Sequence, residues 1–193
     1  LDLYIGIFKL YRKKWQKMYS IEYFIEPIFK IEFFKIKCID FKIKKVLLEK
    51  LLEQYPEKRY TNFFSNRNQI NYTKDINNIF IDILKDELSL IKTKFNRNIE
   101  IQRLWSVTYD KGDYHVPHNH SSKGYTAILY LSMKKESPTT TYIQPFNDEN
   151  DKTLLYTPDV EEGDIMIVPQ FVLHYTEPNK LYFKKRILSF DFV

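Results

Sequence analysis

The pattern of apolar and polar positions changes period near the middle of the chain. From Ile28 to Lys37 the text IFKIEFFKIK partly alternates apolar and charged residues, which predicts a half-buried strand. Asp40 stands in the position of an N-cap, and FKIKKVLLEKLLEQY then sets Ile43, Val46, Leu47, Lys50, Leu51 and Gln54 at helical spacing before Pro56. A helix with one buried face is expected there. A polar, asparagine-rich interval over 62–72 leads to a second predicted helix, with a buried stripe of Ile76, Ile79, Phe80, Ile83, Leu84, Glu87, Leu88 and Ile91. Beyond about Asn98 short β-rich runs take over: IEIQRLWSVTY, YTAILYLSM, TTTYIQPF, KTLLYTP, DIMIVP, FVLHY and YFKKRILSFDFV, separated by polar turns. Helices first and strands afterwards predict an α+β chain, an antiparallel sandwich or barrel with its helices packed outside, rather than an alternating βαβ sheet.

Composition narrows the function classes. With 193 residues, 44% hydrophobic and 17% aromatic, the chain has enough apolar surface for one domain with a sizeable core. It holds only four glycines and no GxGxxG or GxxxxGK(S/T) pattern, which argues against a nucleotide-binding α/β fold. Cys38 is the only cysteine, so an internal disulfide or a cysteine-based zinc cluster is excluded; it reads as a small buried hydrophobe in a reducing compartment. The formal charge of +5 is unevenly placed: Lys9, Arg12, Lys13, Lys14 and Lys17 against Asp2 put +4 within residues 1–17, leaving +1 for the rest. A nucleic-acid partner is therefore not expected.

Met18 stands before a segment that already reads as folded protein, so residues 1–17 are read as a basic extension to a single domain over 18–193, with its β core at about 99–193. The stretch LYIGIFKLYRKKWQK is amphipathic, and resting on an anionic membrane is a secondary reading for it. It lacks the charge order and cleavage site of a secretory signal. No run of roughly 18 apolar residues exists, and a cytoplasmic protein without a membrane partner is expected.

The candidate chemistry lies in the histidines. Three of the four fall in Tyr114-His115-Val116-Pro117-His118-Asn119-His120, and His174 follows 54 residues beyond His120. Alternate residues of an extended chain point to one side, so His118 and His120 can converge on one ion. Imidazole is the commonest protein metal ligand. An HxH pair alone suits a surface loop equally well, so the weight rests on its surroundings. These are Tyr109, Gly112, His118-Asn119-His120, Thr126-Ala127-Ile128-Leu129-Tyr130-Leu131, Gly163-Asp164-Ile165-Met166-Ile167-Val168-Pro169, His174 and Arg186. In order and spacing they resemble the 2-oxoglutarate/Fe(II) dioxygenases, and among them the prolyl-4-hydroxylase-like branch. The resemblance covers roughly residues 99–193.

The resemblance implies a double-stranded β-helix, a jelly-roll of cupin type, holding Fe(II) through His118, His120 and His174. It implies 2-oxoglutarate as co-substrate, bound by Arg186 with help from Tyr109, and dioxygen as oxidant, with succinate and carbon dioxide released as a substrate C–H bond is oxidised. An arginine suits the distal carboxylate because its fork binds in two-pronged fashion. The sequence also departs from the pattern. His120 occupies the slot of the usual Asp or Glu, which leaves the metal one unit more positive. Ser189 is out of phase with Arg186, so the hydroxyl that often assists the arginine is not evident. The alternatives are a cupin-type three-histidine enzyme that does not use 2-oxoglutarate and a non-catalytic barrel. The primary substrate is not specified, because fold analogy does not transmit specificity.

The other marked residues read mainly as structure. Trp105 is expected in the core, Asp110 and Asp113 in a turn, Lys184 and Lys185 in solvent, and His115 in a loop or facing substrate. Asp110 or Asp113 is the alternative source of a carboxylate ligand.

Overall fold

Strands whose successive side chains enter two different apolar environments form the frame of the protein. The computed structural model describes residues 31–55, 57–60, 64–69 and 74–193. The chain divides into two compact units, 1–31 and 32–193, and every described element lies in the second. The expected boundary after residue 17, the amphipathic basic stretch and the start of the strand anticipated from Ile28 fall outside the described residues. Among the described residues no helix is long and apolar enough to cross a membrane.

The strands are β1 (Phe34–Lys37), β2 (Lys58–Tyr60), β3 (Ser65–Gln69), β4 (Ile101–Tyr109), β5 (His115–His118), β6 (Tyr125–Ser132), β7 (Thr140–Asn147), β8 (Thr153–Tyr156), β9 (Asp164–Pro169), β10 (His174–Thr176) and β11 (Lys185–Phe192). The helices are α1 (Phe41–Leu52), α2 (Lys74–Ile83) and α3 (Lys85–Phe95). A seven-stranded sheet runs β1-β9-β6-β11-β4-β3-β2 and a four-stranded sheet β5-β10-β7-β8. Every pairing is antiparallel. This is the jelly-roll layout expected from the run of short strands.

Alternation in the large sheet separates two cores. Ala127, Leu129 and Leu131 of β6, Ile165 and Ile167 of β9, and Leu188, Phe190 and Phe192 of β11 pack with helical residues including Leu48, Phe80, Leu84 and Ile91. Each such side chain stabilises the fold by about 1.5–3 kcal/mol relative to exposure. The intervening residues Ile128, Tyr130, Met166 and Ile187 join Val107 and Tyr109 in the second core. Cys38 is buried and unpaired, as expected, and burial pushes its thiol up to about 12.

Three expectations change. The face of α1 is rotated: Leu48, Leu51, Leu52 and Lys44 are buried, while Ile43, Val46 and Leu47 are exposed. That face puts Leu48, Leu51 and Leu52 into the core and sets Lys44 Nζ 2.8 Å from Glu87 Oε2 and 3.1 Å from Asp86 Oδ2, with Glu87 fully buried. Asp40 precedes the helix in a left-handed conformation and makes no side-chain cap. The second predicted helix is interrupted at Leu84, where φ is −103° and ψ 22°, and Ile79 from its stripe is exposed. The asparagine-rich interval contains β3, which pairs Asn66 with Thr108 and Gln69 with Trp105.

Candidate metal centre

His118 ends β5, and its direct cross-strand partner is His174, the first residue of β10. Their ring centroids are 4.5 Å apart. Two residues past His118 the chain is still held to the barrel, His120 N donating to the Gln170 carbonyl at 3.0 Å. The His120 ring stacks on His118 at 5.5 Å and stands 5.1 Å from that of His174. One ring nitrogen from each of the three histidines lies within 4.8 Å of the others. Among the described residues this is the one cluster of three potential metal ligands.

Hydrogen bonding fixes which nitrogen each ring presents. A carbonyl only accepts, so His118 Nδ1–H donates to the Val116 carbonyl at 2.8 Å and His174 Nδ1–H to the Val172 carbonyl at 3.0 Å. His120 Nδ1 lies 2.9 Å from Asp191 Oδ1 and 3.0 Å from Thr126 Oγ1, and the Thr126 hydroxyl gives its proton to Asp191 Oδ1 at 2.5 Å. Nδ1 of His120 is therefore also a donor, and in each of the three rings Nε2 is the nitrogen that a metal would take. Burial pushes the His174 imidazole down to about 3, helped by the neighbouring histidines. It takes His118 to about 4, with the charges of His120 and Arg67 adding to the fall against the opposing pull of the Val116 carbonyl. Both rings are neutral at pH 7 without a metal.

Asp191 was not anticipated from the sequence. It is fully buried at the inner edge of β11, its second oxygen 2.5 Å from Arg103 Nη2. Burial alone would raise its carboxyl, but the bonds from His120 and Thr126 and the charges of His120 and Arg103 outweigh burial and hold it below the ordinary carboxylate value. A lone aspartate inside the apolar strand text LSFDFV was the available signal. Asp113 and Asp110 are elsewhere engaged: Asp113 is held by Arg59 at 2.6 Å and closes the turn containing Gly112, which has φ +88°, while Asp110 pairs with Lys184 at 3.1 Å.

The two expected co-substrate residues lie on different sides of the large sheet. Arg186 shares a strand face with Leu188 and Phe190, away from the cavity that Ile187 and Ser189 line. Its guanidinium donates instead to Glu57 Oε1 at 2.9 Å and Thr108 Oγ1 at 3.1 Å. Lys185, expected in solvent, is completely buried, and its Nζ has no hydrogen-bond partner. That Nζ sits 4.6 Å from the Tyr109 ring centroid and 5.7 Å from that of Tyr130, and burial lowers it to about 7. Tyr109 does line the cavity; its hydroxyl lies 3.1 Å from His115 Nδ1, and burial raises the phenol well above its usual value. His115 is buried at the start of β5 and lines the cavity, its other nitrogen 2.5 Å from Ser65 Oγ, and burial together with Arg67 drives its pKa far down. Trp105 packs on the second core and also lines the cavity, 5.1 Å from the His120 ring. Arg67 of β3 supplies a further cation on the cavity wall.

Donor chemistry and geometry thus fit a divalent transition metal: three imidazoles, each oriented through Nδ1 from behind. The fold is shared with enzymes of known structure. An oxidoreductase of the 2-oxoglutarate/Fe(II) oxygenase family from Burkholderia pseudomallei is 9% identical, with a TM-score of 0.65 over 83% of this chain and 84% of that one. HygX from Streptomyces hygroscopicus, solved with nickel, 2-oxoglutarate and hygromycin B, is 15% identical with a TM-score of 0.62, covering 84% and 82%. A Pseudomonas putida prolyl-4-hydroxylase is 11% identical with a TM-score of 0.59, covering 84% and 92%. No protein-family model matches the sequence, and no curated protein matches it significantly. At these identities the likeness establishes the fold, the double-stranded β-helix of the 2-oxoglutarate oxygenases.

Proposed function

We propose that this chain is an Fe(II)- and 2-oxoglutarate-dependent oxygenase, a hydroxylase of a substrate its residues do not name. One observation carries the reading: a ring nitrogen from each of His118, His120 and His174 lies within 4.8 Å of the others, His118 and His174 being cross-strand partners, in the fold that the nickel- and 2-oxoglutarate-bound HygX shares. Iron held by three protein ligands would supply the chemistry to oxidise a C–H bond with dioxygen, coupled to decarboxylation of 2-oxoglutarate. His118, His120 and His174 are the residues that would hold it.

For the distal carboxylate of 2-oxoglutarate we assign Lys185 in place of Arg186. A buried ammonium with no hydrogen-bond partner is costly, and an entering carboxylate would offset that cost. Lys185 is also in phase with Ser189, two side chains further along the same strand face. Tyr109, whose ring lies against Nζ, forms the adjoining wall.

The runner-up, a cupin-type three-histidine enzyme without 2-oxoglutarate, draws on the tightness of the site. The cavity is about 20 Å³, the space of one water, so a five-carbon dicarboxylate enters only as wall side chains move aside. Incubating the iron-loaded protein with 2-oxoglutarate and oxygen and assaying succinate separates the two. The oxygenase reading requires slow uncoupled succinate formation that His174→Ala abolishes. Iron bound stoichiometrically with no succinate formed and no 2-oxoglutarate retained would favour the runner-up.

A further inference from the structure

The three histidines are not supported alike. His118 and His174 are backed by neutral peptide carbonyls, whereas His120 is backed by a fully buried carboxylate. We propose that Asp191 is a positioning residue for the metal centre: from behind His120 it supplies the negative charge that the three neutral ligands lack, and it locks that ring with Nε2 forward. The inference rests on the three-histidine metal reading and adds to it a residue from β11, 71 positions from the histidine it serves.

The local chemistry leaves little freedom. Asp191 is fully buried, and a buried carboxylate persists only when its oxygens are paired. Oδ1 takes two bonds, from the Thr126 hydroxyl at 2.5 Å and from His120 Nδ1 at 2.9 Å, and the Thr126 proton is thereby committed. His120 must therefore carry its own proton on Nδ1 and cannot flip tautomer without setting a lone pair against an anion. When Nε2 donates to a cation, positive charge accumulates on the imidazole and is met at Nδ1–H by the carboxylate, which raises the basicity of the ligand. The carboxylate missing from the ligand set thus stands one bond further out, behind the histidine that takes its slot.

A purely structural account exists, in which Asp191 serves Arg103. The guanidinium contacts Asp191 Oδ2 at 2.5 Å, but the Arg103 side chain is 55% exposed, so the pair is screened on one side. The two accounts differ in what each partner does to metal binding. Cobalt(II) is the probe, titrated anaerobically into the metal-free protein and followed by its visible ligand-field absorption, with near-ultraviolet circular dichroism and thermal melting reporting the fold.

Asp191→Asn keeps the shape and removes the charge, and is expected to weaken cobalt binding about 10- to 100-fold. Arg103→Gln is expected to bind within about threefold of the parent, because the guanidinium reaches Oδ2 from the solvent side and leaves the Oδ1 bond to His120 in place. If Asp191→Asn, folded, binds cobalt like the parent, or if both variants lose affinity equally, the proposal is overturned. Should Asp191→Asn fold poorly, His120→Asp reads the same claim from the other side. It strips Asp191 of its N–H donor and faces it with a second carboxylate, so it is expected to bind no more tightly than the parent; tighter binding would overturn the proposal. A parent that takes up no cobalt removes the three-histidine reading and this proposal together, whereas a binding parent with an indifferent Asp191→Asn removes only this one.

Discussion

Replacing Lys185 with methionine should make the protein more stable and less able to bind 2-oxoglutarate. The side chain is wholly buried, and its amine falls from an ordinary 10.5 to about 7 through burial. At 1.36 kcal/mol per pH unit this difference corresponds to an upper bound of about 5 kcal/mol for keeping the ammonium charged in the fold. Contact with the faces of Tyr109 and Tyr130 returns about 1–2 kcal/mol that methionine forfeits in part, which leaves a net gain of about 3 kcal/mol. The sign follows from proton counting. Below about pH 7 folded and unfolded chains both carry the proton and the cost is complete. Between about 7 and 10.5 the unfolded chain binds a proton the folded one has released, so the stability of the parent rises with pH. Urea denaturation of parent and Lys185→Met, both metal-free, should show the variant ahead at pH 7 and the gap closing towards pH 10. Affinity for 2-oxoglutarate should drop on the order of a hundredfold, for loss of one charge-assisted contact of about 2–3 kcal/mol. A variant no more stable than the parent at pH 7, with no change in the gap as pH rises, would refute the idea of an uncompensated buried ammonium.

Other outcomes follow from the same geometry. Arg186→Leu loses its bond to Glu57, both side chains about a third exposed, and should cost no more than about 1 kcal/mol while leaving 2-oxoglutarate binding intact; isothermal titration checks it. Because His118 and His174 sit at about 4 and 3, they carry no proton for a metal to displace at neutral pH, so His118 and His174 contribute no proton release on cobalt binding between pH 7 and about 5. The same depressed values make the unfolded chain bind protons first as pH falls through 6.5, so the metal-free fold should lose stability from there down to about pH 4, on the order of 3 kcal/mol per histidine. Lys44→Met leaves Glu87 buried without its cation and should cost about 3–5 kcal/mol, seen as a lowered melting temperature.

The β half and the histidine cluster were legible because both are local in sequence: alternation marks strands, and HxH on an extended segment places two rings together. What escaped depends on phase or on distance. The apolar residues of α1 span too wide an arc to choose a face, and the face it buries also carries Lys44, whose partner Glu87 lies 43 residues away. SNRNQ carries no apolar alternation, so β3 was invisible until it paired with β4. Arg186 and Lys185 differ by one residue, which in a strand is the difference between the helix side and the inside of the barrel. Asp191 could be recognised only as a charge in an apolar strand, since its partner His120 lies far off in the chain.

The most direct test of the account is anaerobic addition of Fe(II) and then 2-oxoglutarate to the purified, metal-free protein, with visible absorption recorded throughout. A three-histidine iron site that takes 2-oxoglutarate predicts the weak charge-transfer band of the ternary complex in the parent. It predicts no band in His174→Ala and one that needs far more 2-oxoglutarate in Lys185→Met. Iron bound by the parent with no band at any 2-oxoglutarate concentration, or an undiminished band in His174→Ala, would contradict it.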